Sequence, residues 1–176
     1  RRQRQMCIRD SYYGEELGMK GSGKDENKRA PMYWSKDKNA AGMCKGPADM
    51  EDFQMKFDSL EEQQEDPDSI YNYVKQVIRV RNQNPVIARG TTAYLEQYSG
   101  EQCFALTRSY EGSNLLLLGN TSAEAVSVDL TGLTVGGTTA EELVLLGELY
   151  TGEETAERAG TVVTLPAYSI LILGEE

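Results

Sequence analysis

The chain has 176 residues, 39% hydrophobic and 26% charged, with a net charge of -10. That acidic balance lacks the basic face that neutralises phosphates, so it excludes a general nucleic-acid binder and disfavours an anionic membrane surface, and no apolar run approaches the ~20 residues of a membrane helix. Histidine is absent and Cys7, Cys44 and Cys103 have no metal-motif spacing, which removes Ser-His and Cys-His nucleophile systems and most zinc sites.

Residues 1–11 (RRQRQMCIRDS) show no apolar periodicity and no turn logic leading into the segment after them. They resemble an in-frame translation of a transposase-type sequencing adapter, a segment to be set aside before fold reasoning. The alternative is a genuine basic arm. On the adapter reading the frame is truncated at its 5′ end and the start at Tyr12 is accidental.

Residues 12–19 (YYGEELGM) read as the end of a strand entering a turn. A long irregular stretch comes next, about 20–58, broken by Gly21, Gly23, Gly42, Gly46, Pro31 and Pro47. Loops of this length are uncommon in compact domains and are often functional. Trp34 with Met19, Met32, Met43, Met50 and Met55 is expected to pin it to an apolar surface. Ser59 and Glu62 match a capping box, which predicts a short helix over 60–65. Asp66 and Pro67 predict a restart, with Asp66 as N-cap and Pro67 at the first helical position. Ile70, Val74, Val77 and Ile78 form one apolar stripe; Arg79 and Arg81 suit the helix C-terminus, and Asn84 and Pro85 stop it.

From Thr91 the grammar changes to short β-branched and aromatic runs between glycines. Strands are expected over 93–98, 103–110, 114–119, 125–130, 142–149, 161–165 and 169–173, the pattern of an antiparallel sandwich or barrel. The continuous apolar runs 115–118 and 170–173 predict central strands buried on both faces.

Four motifs then carry a resemblance. YYGEELGM at 12–19 resembles the segment after the eighth barrel strand of glycoside hydrolase family 13, the α-amylase family. KRAPMYWS at 28–35, with Ala40, Ala41 and Gly42, resembles the R-T-P-M-Q-W and N-A-G elements of its oligosaccharide-cleaving members. DPDSI at 66–70 with Tyr73, Arg79, Arg81 and Asn82 resembles the last barrel helix. LPAYS at 165–169 resembles the final strand of the C-terminal sandwich. Ala30 and Tyr33 depart from the usual Thr and Gln, which leaves fine substrate preference open.

The resemblance implies a mixed fragment. Residues 12–88 would close a (β/α)8 barrel with its last β-strand, loop and α-helix. Residues 89–176 would form an all-β antiparallel sandwich. It implies a retaining α-glucosidase or α-amylase that hydrolyses α-1,4 or α-1,6 bonds in starch-derived oligosaccharides, with an α-glucan or malto- or isomalto-oligosaccharide as partner. Such enzymes use two carboxyls about 5–5.5 Å apart. In the family these, and a third Asp, come from earlier strands, so the resemblance places no catalytic residue in this chain and implies that the piece alone is inactive. Glu15/Glu16 and Asp25/Glu26 are poor dyads, because adjacent residues do not face one another on a strand or helix. The family implies Arg29 as a substrate-binding residue paired with an upstream Asp, against a solvated loop arginine. Tyr13 is a pocket wall or a packed strand-end aromatic, and Trp34 stacks on a sugar or anchors the loop. No cofactor is expected; calcium is possible in the parent enzyme, although Asp25, Glu26, Asn27, Asp37 and Asn39 make no complete ligand set.

Two other readings stay open. One is a stand-alone sandwich that binds carbohydrate without catalysis, which residues 12–84 do not fit. The other is a transglycosylating or sucrose-isomerising relative. Nothing in the sequence fixes a compartment.

Overall fold

The computed structural model describes residues 11–21 and 23–175. The adapter reading therefore lies outside the described residues except at Ser11. The chain divides into two compact units, Arg1–Val74 and Lys75–Glu176.

In the first unit, the residues read as a strand end form a turn and a 3-10 helix, Glu15–Leu17. A strand needs a neighbouring ladder for its backbone groups. Here those groups are satisfied locally: the Leu17 and Met19 N–H groups both donate to Gly14 O, at 3.1 and 2.9 Å. Gly14 and Gly18 bracket the turn in the left-handed region, with φ of 86 and 63. At Gly18 a Cβ would also stand 2.6 Å from the Phe57 ring, so glycine is required twice over.

The long loop carries a second 3-10 helix, Glu26–Arg29. Polar contacts help to pin it. Asn27, 2% exposed, bonds to Glu51 across the loop. The Tyr33 and Trp34 carbonyls accept the Leu60 and Glu61 N–H groups at 2.9 and 3.1 Å. Those donors open helix α1, Leu60–Glu65, where the first-turn N–H groups have no partner inside the helix. The expected capping box is formed. The Glu62 carboxylate accepts the Ser59 N–H at 3.1 Å and its hydroxyl at 2.8 Å.

The next helix, α2, spans Ile70–Gln83, so Pro67 is not its first residue. Asp66 instead accepts the Asp68 N–H at 3.0 Å in a local turn. The cap is Ser69, whose hydroxyl accepts the Asn72 N–H at 3.2 Å and donates to Gln63 O at 2.6 Å. An N-cap hydroxyl next to the apolar stripe wins over a carboxylate three residues earlier, because only it reaches the first-turn donors.

In the second unit α2 ends at Gln83 as the Asn84 and Pro85 signal requires. Pro85 then opens one further short helix, α3, Pro85–Arg89, which suits a residue with no N–H to satisfy. The Arg108 guanidinium donates to Ile87 O at 2.7 Å, at the end of that helix.

Among the described residues ten strands follow: β1 Thr91–Tyr94, β2 Cys103–Tyr110, β3 Ser113–Asn120, β4 Val126–Asp129, β5 Thr134–Val135, β6 Thr138–Thr139, β7 Val144–Leu149, β8 Glu157–Ala159, β9 Val162–Leu165 and β10 Ile170–Gly174. Every pairing is antiparallel. The sheets run β1-β2-β3-β10-β7, β4-β9-β8 and β5-β6. The two apolar runs do lie at the centre, as β3 and β10, with Leu115, Leu116, Leu118 and Leu171, Ile172, Leu173 all buried.

One core serves the two larger sheets. Leu116, Leu118 and Leu173 meet Val128, Val163 and Leu165 there. β2 and β3 are joined by Glu111 and Gly112, both at positive φ, 49 and 85. That is the backbone of a two-residue hairpin turn whose twist matches the strands. The expected strand pattern changes in two respects. The 93–98 run stops at Tyr94 and continues as a 3-10 helix, Glu96–Tyr98, and β5, β6 and β8 are additions too short to show a period.

Candidate functional site

The first-unit turn and the second 3-10 helix bring Tyr13 and Arg29 to one cleft. It has a volume of about 580 Å³, and its lining includes Tyr12, Tyr13, Lys20, Asp25, Asn27 and Arg29. The Tyr13 hydroxyl donates to Ala30 O at 3.0 Å. That bond ties the first turn to the segment that carries Arg29. The Tyr12 and Tyr13 rings lie 4.6 Å apart and tilted by 40°. Burial, with a hydrogen bond to Tyr12, raises the Tyr13 phenol above its ordinary value, so it is neutral and able to donate near neutral pH.

Arg29 closes the second 3-10 helix, where a cation suits the helix end. Its Nη2 stands 3.2 Å from Asp25 and 3.8 Å from Glu26. The side chain is still 54% exposed, and one guanidinium carries five donors. A half-open guanidinium beside two aromatic rings is suited to a polyhydroxyl ligand, since it offers a rigid fork next to flat apolar faces.

Trp34 is placed elsewhere. It is 44% exposed, and its backbone bridges Met32 O and the Glu61 N–H. It does not line the Tyr13 and Arg29 cleft, nor the larger hollow of about 920 Å³ bordered by Tyr33, Met50, Phe53 and Phe57.

The adjacent acids serve local structure. Glu16 accepts the Gly14 N–H at 2.9 Å, and Glu15 accepts the Ser11 hydroxyl at 3.3 Å. Asp25 and Glu26 both pair with Arg29. Among the described residues no group of three or more acids or cysteines is placed to hold a metal ion. No described helix is long and apolar enough to cross a membrane.

Two residues matter in ways that the sequence does not show: Asn27, considered there only for calcium, and Gln63. Asn27 lines the cleft while its amide is locked to Glu51. Gln63 is 3% exposed and binds Leu17 O, Asp58 O and the Tyr71 N–H. Gln63 stands between two other polar residues in the sequence, so only its buried placement marks it.

Comparison with known proteins gives the chain's relatives. The family described as Alpha amylase, catalytic domain, matches residues 6–90. The solved structure of Eubacterium rectale Amy13B superposes with a TM-score of 0.84 at 41% identity, covering 94% of this chain and 31% of that one. A trehalose synthase of Thermus thermophilus is 28% identical over 130 residues, which is 68% of this chain and 13% of the relative. Alpha-amylase 3 of Dictyoglomus thermophilum is 32% identical over 79 residues, 45% of this chain and 16% of the relative. The chain thus spans less than a third of each of these proteins.

Proposed function

The chain belongs to the α-amylase family, glycoside hydrolase family 13, and from that premise we propose that it is the C-terminal part of a retaining α-glucosidase or α-amylase acting on α-1,4 or α-1,6 bonds of starch-derived oligosaccharides. Residues 12–88 then complete the catalytic barrel, and 89–176 are the C-terminal β-sandwich. The observation that carries the reading is the cleft that holds Tyr13 and Arg29 together. Barrel enzymes build their sites from the loops at the C-terminal face, and a cleft in the eighth such loop is where a sugar wall belongs.

On this reading the reaction is a double displacement by carboxyls outside this chain. The residues here bind and orient. Arg29 presents its fork to an upstream carboxylate or to sugar hydroxyls, with Asp25 and Glu26 restraining it. Tyr13 forms a wall whose hydroxyl is fixed by Ala30 O. Trp34 does not line this cleft and has no part in its wall.

Arg29→Ala in the complete enzyme tests the reading. The expected outcome is a rise in KM for maltose or isomaltose of roughly tenfold, the cost of one charge-assisted hydrogen bond. An unchanged KM and kcat would remove Arg29 from the site.

The trehalose synthase match supports a second reading, a parent that rearranges rather than hydrolyses glucosidic bonds. The ratio of free glucose to isomeric disaccharide formed by the complete enzyme separates the two.

A further inference from the structure

We propose that Gln63 is a positioning residue for the sugar cleft, an inference that rests on the cleft reading above. The residue is 3% exposed, and both ends of its carboxamide are bonded. Nε2 donates to Leu17 O at 3.0 Å and to Asp58 O at 2.7 Å. Oε1 accepts the Tyr71 N–H at 3.1 Å. One side chain therefore joins three segments: the turn after Tyr13, the end of the long loop, and the first turn of α2.

The Gln63 backbone extends the same junction. Its carbonyl accepts the Ser69 hydroxyl at 2.6 Å and the Asn72 amide at 3.0 Å. The turn that ends at Leu17 begins at Gly14, next to Tyr13. Tyr13 in turn reaches Ala30, next to Arg29. Hydrogen bonds and short stretches of chain thus run from Gln63 through Leu17 and Tyr13 to the Arg29 segment. None of these hydrogen-bond partners of Gln63 lines the cleft, so it acts through the turn.

The chemistry needs a carboxamide. Two donors on one atom and an acceptor on the other meet two carbonyls and one N–H. Glutamate would set a lone pair against the Leu17 and Asp58 carbonyls unless it were protonated. Leucine would remove all three of these bonds from a buried side chain.

The test is steady-state kinetics on the complete enzyme with Gln63→Leu, Gln63→Glu and Arg29→Ala, using maltose and isomaltose. We expect Gln63→Leu to raise KM roughly three- to tenfold while kcat stays within about twofold, the signature of lost substrate positioning. For Gln63→Glu, the ratio of its KM to wild type should narrow as pH falls from about 8 to about 5, because a protonated carboxyl regains one donor. A purely structural role would not produce that pH-dependent rescue, and Gln63→Glu also serves if Gln63→Leu does not fold. Wild-type KM in both Gln63 variants, with KM raised in Arg29→Ala, would overturn the positioning role and leave the cleft standing. Wild-type KM in Arg29→Ala would overturn the cleft, and this inference with it.

Discussion

Asn27 and Glu51 hold each other in both directions: the Asn27 amide donates to the Glu51 carboxylate at 2.9 Å, and its carbonyl oxygen accepts the Glu51 N–H at 3.0 Å. Lys24 adds an ion pair to the same carboxylate at 3.4 Å. The pair closes the long loop across its neck. Asn27→Ala is expected to cost about 1–2 kcal/mol, since two hydrogen bonds go and a backbone donor loses its partner. Hydrogen exchange at the Glu51 amide should rise, and protection equal to wild type would contradict the assignment.

The first turn of α1 is sensitive to acid. Lys36, then Ser59, pull the Glu62 carboxyl from its ordinary 4.5 down to about 2. A depressed carboxylate contributes stability that is present above its unfolded value and lost as pH falls through the folded one. The capping box should therefore hold at pH 5 and loosen between about pH 4.5 and about pH 2. An NMR titration of the Glu62 carboxyl, tracked with the Ser59 amide, reads this directly. A midpoint near 4.5 would show that the Lys36 and Ser59 contacts do not persist in solution.

At the alkaline end Tyr150 behaves in the opposite sense. Burial first, and then its hydrogen bond to Glu148, push the phenol up to about 12. Its oxygen also accepts the Ala156 N–H at 3.0 Å. A raised group contributes stability that is present below its unfolded value and lost as pH rises through the folded one. The second unit should lose stability between about pH 10 and about pH 12, and Tyr150→Phe should flatten that loss. Thermal melts across this range decide the point.

Gly18→Ala combines two penalties. The residue sits at φ 63, and a Cβ there would stand 2.6 Å from Phe57 and 2.7 Å from Ile70. A loss of about 2 kcal/mol or more is expected from strain and overpacking together. A urea midpoint within error of wild type would show that the turn relaxes freely.

The parts of the fold that are legible in the sequence are those written in local chemistry. Ser59 and Glu62 announce a capping box because the motif needs only three residues of spacing. The apolar runs of β3 and β10 announce central strands because both faces must be dry. The cap of α2 is not legible in the same way, since Asp66 and Ser69 are both competent and only packing against Gln63 chooses. The turn at Gly14 is expected from YYGEELGM, but the strand end expected before it is replaced by backbone bonds that close on themselves. The meeting of Tyr13 with Arg29 is reached only through resemblance. Their link passes through Ala30 O, and a backbone acceptor leaves no trace in side-chain pattern.

On the proposed reading, this chain shapes a sugar cleft and the carboxyls that break the bond lie outside it. The most direct measurement is glucose release from maltose and isomaltose by the purified 176-residue chain. No release above a protein-free control is expected. Release that scales with protein concentration and disappears when Glu15, Glu16, Asp25 or Glu26 is changed to its amide would contradict it.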